Sequence, residues 1–374
     1  MSDSEHKHEA TSLLELGFHN HFIQQLSLEE WDDCIPARII EQHKSQLILA
    51  IENNIISLGL DGQPHIDGAM TVGDWLLLEK HTNNQNDHYV IKRLLERQTL
   101  FSRKAPGSKL DQQLIAANVD TLFIVSSANH DFNLNRFERY LVLANDAHVE
   151  PVIILTKTDL CESQDKLDEY IKQVEALDPL LMVVPLNALD ENNLSLLSPW
   201  CQPGKTLALL GSSGVGKSTL ANLLLGENIL ATAGIREDDS KGRHTTTGRS
   251  LHIIPKSNSI KGGLLLDTPG MRELQLANVE DGIEETFADI LALAQACKFS
   301  DCDHDMNLPE NSGCAVQAAI KNNELEPRRL LSYQKLLRED ALNSASLAQR
   351  RDKDKQFGKM IKQVMKDSKK KRGH

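Results

Sequence analysis

The chain has 374 residues, 40% of them hydrophobic and 25% charged. That is the composition of a folded protein with room for two or three cores. No run approaches 18 uninterrupted apolar residues, which excludes a single helical membrane span. The formal net charge of −12 hides an asymmetry: residues 350–374 hold eleven Lys/Arg against three Asp/Glu, so the rest carries −20. A basic tail on an acidic body fits nucleic-acid contact, and fits a plain solvated terminus equally well.

Residues 1–35 form a polar N-terminal extension with one apolar-periodic patch, LLELGFHNHFIQQL, expected as a helix or a loosely held arm. The start of the chain lacks the basic-then-apolar order of a secretory leader, so a cytoplasmic protein is expected. Over residues 36–105 come short β-rich runs (ARII, QLILAI, NIISLGL, DWLLLEK, HYVIKRLL) divided by polar or glycine-bearing turns. Five short strands in this span suggest an OB-type barrel, a fold that often binds nucleic acid but has many other uses.

From 106 to 280 the pattern changes. Apolar strands (TLFIVSS, PVIILTK, LLMVVPL, TLALLG, LHIIP, GGLLLDT) alternate with helical segments such as FNLNRFERYLVLANDA and QDKLDEYIKQVEAL. This is the βαβ alternation of a doubly wound sheet. Residues 281–345 read as a helical region around a cysteine cluster, and 346–374 as the basic tail. The expected class is therefore multidomain α/β.

The strongest single signal is Gly211-Ser212-Ser213-Gly214-Val215-Gly216-Lys217-Ser218, followed by Thr219, which fits G-x-x-x-x-G-K-[ST] at every fixed position. It follows the strand TLALL and opens the helix KSTLANLLLG, the context the motif requires. The glycines let backbone N–H groups turn around phosphates at a helix N-terminus. Lys217 is expected at the β/γ-phosphates and Ser218 on Mg²⁺. Further on, DTPG supplies Asp267 for the metal and the N–H of Gly270 for the γ-phosphate. Between them lies GRHTTTG, where Thr245 or Thr246, with Thr246 favoured, would close on Mg²⁺ as a switch.

Ahead of the phosphate loop stands Thr156-Lys157-Thr158-Asp159, at the end of PVIIL. An ionised Asp159 accepts from guanine N1–H and the 2-amino group together, a pair that adenine does not offer. Lys157 would lie along the ring and brace the phosphate loop. After VVPL, Asn187-Ala188 offers the Ala188 N–H to the base O6. The order is then base reader, base turn, phosphate loop, threonine switch, DxxG, whereas an ordinary GTPase begins with the phosphate loop and ends with the base reader. Joining the old ends and cutting before the base-reading strand keeps the same sheet and pocket.

On these residues the chain resembles the bacterial small-ribosomal-subunit-dependent GTPase A family: Ala117-Asn118-Val119-Asp120, TKTDL, GSSGVGKST, GRHTTT, DTPGMREL and the Cys/His cluster, over about residues 35–340. The resemblance implies an OB barrel, a circularly permuted GTPase domain and a C-terminal zinc domain. It implies GTP and GDP as ligands and the small ribosomal subunit with its 16S rRNA as partner; a monomer is expected. The chain departs from the family at Thr156, where Asn is usual. Met271 follows DTPG where many GTPases place a water-orienting Gln, so intrinsic hydrolysis is expected to be slow. His244 is the available substitute, and the resemblance implies that catalytic role for it.

Cys297-x4-Cys302-x-His304-x9-Cys314 offers three thiolates and an imidazole, a closed set suited to one structural Zn²⁺. The insertion DMNLPENSG lengthens the loop before the last cysteine. The reading is a GTPase acting in late small-subunit maturation, its hydrolysis stimulated by the subunit. Two other readings stay open: a regulatory GTPase acting on a protein partner, and a P-loop ATPase or nucleotide kinase in which TKTD is incidental.

Overall fold

The structure, a computed structural model, describes residues 11–83, 86–104, 112–129, 131–226, 249–267, 276, 278–306 and 313–344. The chain divides into two compact units, one of residues 1–102 and 114–274, the other of residues 103–113 and 275–374.

The first unit begins with an N-terminal arm holding α1 (Asn20–Ile23) and α2 (Leu28–Asp33). From residue 11 onward the arm is packed against the strands that follow. Leu16, Phe18 and Phe22 are buried in one cluster with Trp75, Leu77 and Leu95, and the Phe18 ring centroid lies 4.8 Å from that of Trp75. Aromatic side chains of this size outweigh the polar content of the segment, which is what the composition of residues 1–35 obscured.

Five antiparallel strands follow: β1 (Cys34–Gln42), β2 (Gln46–Ile51), β3 (Asn54–Gly59), β4 (Trp75–Asn83) and β5 (Asn86–Leu94). β1 pairs with both β2 and β4, β2 with β3, and β4 with β5. The exposed edge of β5 is occupied by a side chain. Gln63 donates Nε2–H to the Tyr89 carbonyl (3.2 Å) and accepts the Ile91 N–H at Oε1 (2.9 Å), so its amide takes the place of a neighbouring peptide group.

β6 (Leu100–Lys104) and β7 (Gln112–Ala117) pair as a separate ribbon that the sequence did not foreshadow. Then come β8 (Thr121–Ser127), α3 (Leu134–Asp146), β9 (Glu150–Thr156), α4 (Gln164–Glu175), β10 (Met182–Pro185), β11 (Thr206–Leu210), α5 (Lys217–Leu225), β12 (Ser250–Ile254) and β13 (Gly263–Asp267). β10, β9, β8, β11 and β13 run parallel in that order, and β12 closes antiparallel on β13. All seven residues of β8 are buried, as expected for a parallel strand covered on both faces. Asn133 caps α3 by accepting the Arg136 N–H, and Ser163 caps α4 by accepting that of Lys166.

The five antiparallel strands pair in the order β5-β4-β1-β2-β3, with no pairing that closes them into a barrel among the described residues, and they share one sheet with the parallel strands because β1 pairs with β12 at Glu41↔Ser250. A buried guanidinium reinforces the junction. Arg38, 1% exposed, donates to Leu16 O (2.6 Å), Asn118 O (3.0 Å) and Thr206 Oγ1 (2.9 Å). Burial pulls its pKa down to about 10, with Asp120 and Asp74 opposing, so it stays charged at neutral pH. The run Ala117–Asp120 now has a physical role. Asn118, at φ 57°, accepts the Gln98 N–H and donates to Gly73 O. Asp120 accepts the Thr206 N–H at 2.8 Å and the Lys205 ammonium at 2.7 Å. The segment thus ties the loops before β4 and after β5 to the strand that carries the phosphate loop.

The second unit contains α6 (Glu280–Thr286), α7 (Ala288–Ala294), α8 (Ala315–Lys321) and α9 (Pro327–Ser344). Ile283, Phe287, Ile290, Val316, Leu330 and Leu336 are buried. Arg329 links α9 to α7 through a two-pronged pair with Asp289 (2.6 and 2.9 Å) and to α6 through the Thr286 carbonyl.

Candidate functional site

The phosphate-loop segment leaves β11 between β8 and β13 and enters α5 at Lys217. Gly211 is required by space, and Gly214 and Gly216 by their positive φ. A Cβ on Gly211 would stand 2.2 Å from the Val125 carbonyl oxygen, and Gly216, at φ 97°, would place one 3.3 Å from Thr156 Oγ1. Lys217 is buried, and its ammonium donates to the Ser212 carbonyl. Ser218 and Thr219 occupy the first turn of α5.

Residues remote in sequence meet this loop. Thr156, buried at the end of β9, donates its hydroxyl to Val215 O (2.5 Å), a residue 59 positions away, with Ser126 O at 3.1 Å as second acceptor. Lys157, held at φ 57°, donates from Nζ to Gly214 O at 2.7 Å. Together they fasten TKTD to the phosphate loop. Asp159 follows in a short 3-10 turn, Thr158–Leu160. Beyond β10, the Asn187 side chain accepts the Leu189 N–H at 3.0 Å, and its carbonyl accepts that of Asp190. This Asx turn closes around Ala188, which is buried; Asn serves the turn as a Ser hydroxyl would.

Asp267 ends β13 opposite Ser250 of β12. Next to it on β12, burial lowers the pKa of His252, and Ser250 Oγ lies 2.8 Å from its Nε2. His244, Thr245, Thr246, Gly270 and Met271 lie outside the described residues, as does the basic tail.

In the second unit Cys297, Cys302, His304 and Cys314 bring their ligand atoms within 4.8 Å of one another. Cys314 Sγ lies 3.4 Å from His304 Nδ1, Cys297 Sγ 3.7 Å from the same nitrogen, and the two sulfurs 3.9 Å apart. A tetrahedron with metal–ligand bonds of about 2.0–2.3 Å has edges of roughly 3.3–3.8 Å, so this donor set fits a single ion. The Ala315 N–H donates to Cys297 Sγ and the Gln317 N–H to Cys314 Sγ. Gln317 also holds the His304 carbonyl at 3.0 Å, a second layer that orients the ligands.

Sequence reasoning did not find Arg136. Its guanidinium reaches Ser212 Oγ at 2.6 Å across 76 positions, and no motif spacing marks an arginine near the start of α3.

A family model described as RsgA GTPase matches residues 94–277. An ABC transporter model matches residues 194–370, a span that contains the phosphate loop common to P-loop nucleotide hydrolases. A Vibrio parahaemolyticus protein named small ribosomal subunit biogenesis GTPase RsgA 2 is 53% identical over 96% of this chain and 94% of its own length. A Mesorhizobium japonicum protein named small ribosomal subunit biogenesis GTPase RsgA is 45% identical, covering 89% and 91%. Among solved structures, YjeQ from Thermotoga maritima matches with a TM-score of 0.56 at 24% identity, over 82% of this chain and 98% of that one. YloQ, described as a circularly permuted GTPase, matches with a TM-score of 0.56 at 22% identity, over 83% and 96%. These likenesses show the same fold, and with the sequence relatives they establish that the chain belongs to the RsgA GTPase family.

Proposed function

We propose that this protein binds the small ribosomal subunit through its 16S rRNA during late maturation, and that docking on the subunit stimulates its GTP hydrolysis. The observation that carries the nucleotide part is the attachment of TKTD to the phosphate loop through Thr156–Val215 and Lys157–Gly214. An incidental TKTD would have no reason to touch that loop. The ribosomal part rests on the names of relatives that align along nearly the whole chain.

In this reading Asp159 pairs with the guanine N1–H and 2-amino group, and the Ala188 N–H meets O6. Backbone N–H groups of residues 211–219 enclose the phosphates, with Lys217 at the β/γ bridge. Ser218, Asp267 and Thr246 would hold Mg²⁺, which neutralises charge developing on the phosphates. The Gly270 N–H would sense the γ-phosphate, and His244 would orient the attacking water. Cys297, Cys302, His304 and Cys314 would hold a structural zinc, fully coordinated and so without a site for catalysis.

Residues 36–105 carry eight Lys/Arg against eight Asp/Glu, so the barrel has no charge excess with which to attract RNA phosphates. The tail, at +8, supplies the long-range attraction, and binding should weaken steeply with salt. The test is GTP turnover with and without purified small subunits, with large subunits as control, alongside co-sedimentation at rising salt. Acceleration by small subunits alone supports the reading, and its absence refutes the ribosomal part while leaving the GTPase intact. If ATP displaces bound GDP as well as GTP does, the guanine assignment fails.

A further inference from the structure

Among the described residues, three cationic side chains converge on the phosphate loop, and of these Lys157 and Lys217 belong to a motif. The third, Arg136, stands near the start of α3 and donates from Nη1 to Ser212 Oγ at 2.6 Å. The same guanidinium grips Asp131 with both prongs, Nη1 to Oδ2 at 2.9 Å and Nη2 to Oδ1 at 3.2 Å. Asp131 is itself held, its N–H donating to Asn129 Oδ1 at 3.0 Å. Ser212 joins this group to the chemistry, because its carbonyl accepts the Lys217 ammonium.

We propose that Arg136 is a positioning residue for nucleotide binding, acting through Ser212 on the placement of Lys217. The proposal rests on the reading of residues 211–218 as the phosphate site. Asp131 compensates the guanidinium charge, so Arg136 serves less as a counter-ion to the phosphates than as a rigid brace. A planar fork satisfied on one edge by a carboxylate fixes the direction of the second N–H of Nη1. That N–H pins the side chain of the second residue of the loop, and the carbonyl of the same residue is the one against which Lys217 is aligned. A flexible ammonium at position 136 would supply the charge without the direction.

The experiment compares wild type, Arg136→Ala, Ser212→Ala, the double variant and Arg136→Lys. It measures dissociation constants for fluorescent GTP and GDP, steady-state turnover, and thermal midpoints. Ser212→Ala removes the same contact without disturbing α3, so a folding defect of the arginine variant cannot hide the answer. Each single variant is expected to weaken GTP about tenfold, or about 1.4 kcal/mol. The double variant should be no weaker than the worse single one, because both act along one path. Arg136→Lys should resemble Arg136→Ala. Wild-type affinity in Arg136→Ala, multiplying effects in the double variant, or full rescue by lysine would each overturn the proposal. Failure of the wild type itself to bind GTP would instead overturn the phosphate-site reading beneath it.

Discussion

Replacing Thr156 by valine keeps the shape of the side chain and removes one hydroxyl. That hydroxyl has a single proton and faces two carbonyls, Val215 O at 2.5 Å and Ser126 O at 3.1 Å, in a fully buried setting. Leaving a buried carbonyl one donor short costs about 1–3 kcal/mol. The other fastening, Lys157 to Gly214, remains but is exposed and is worth less. The phosphate loop should therefore loosen without unfolding the sheet. We expect roughly 1.5 kcal/mol lost from nucleotide binding, or about a tenfold rise in Kd. The rise should be similar for GTP and GDP, because the loop backbone serves the phosphates common to both. Titration of fluorescent guanine nucleotides, with denaturant unfolding as control, reads this directly. Thr156→Asn, which carries the family's usual residue, supplies an N–H donor and should bind at least as well as wild type. If Thr156→Val binds both nucleotides within twofold of wild type, the hydroxyl is not bracing the loop and the argument is wrong.

Asp159→Asn should lose guanine affinity by at least a hundredfold and gain xanthine nucleotides, measured by competition; unchanged preference would remove Asp159 from the base site. A zinc-selective chelator with Mg²⁺ kept in excess, or Cys302→Ser, should release one metal ion per chain and destabilise the second unit by several kcal/mol. GTP binding by the first unit should survive, which circular dichroism and nucleotide titration would check together. Hydrogen bonds from Arg93, then the Ser27 N–H, hold the Glu30 carboxyl down at about 2. A carboxylate with a depressed pKa contributes stability above its unfolded value near 4.5, and that contribution is lost as pH falls through about 2. The stability gap between wild type and Glu30→Gln, below about 1 kcal/mol for this partly exposed pair, should be constant above pH 5 and close on acidification. A gap that widens in acid would contradict the pairing.

Much of the architecture was legible because its chemistry is local. The loop from Gly211 to Ser218 must combine positive-φ glycines, a lysine and a helix start within eight positions, and no other arrangement of those residues does the same work. Strands such as TLFIVSS and PVIIL were readable from unbroken apolar runs, and the Cys/His cluster from its spacing. Harder to read were elements whose stability comes from partners elsewhere. β6 and β7 form a ribbon from unremarkable sequence, and the N-terminal arm owes its burial to Trp75, Leu77 and Leu95, more than fifty positions away in the chain.

From sequence alone came the set of motifs, their permuted order and the chemistry each can perform. Tertiary structure decided which residues hold those motifs in register. Arg38 meets Thr206 across 168 positions, and Arg136 meets Ser212 across 76. The same step brought the Thr156 hydroxyl onto Val215 O, 59 positions away. Such contacts leave no pattern in a single chain, because a hydrogen bond between distant residues depends on where the backbone carries them, not on what stands beside them.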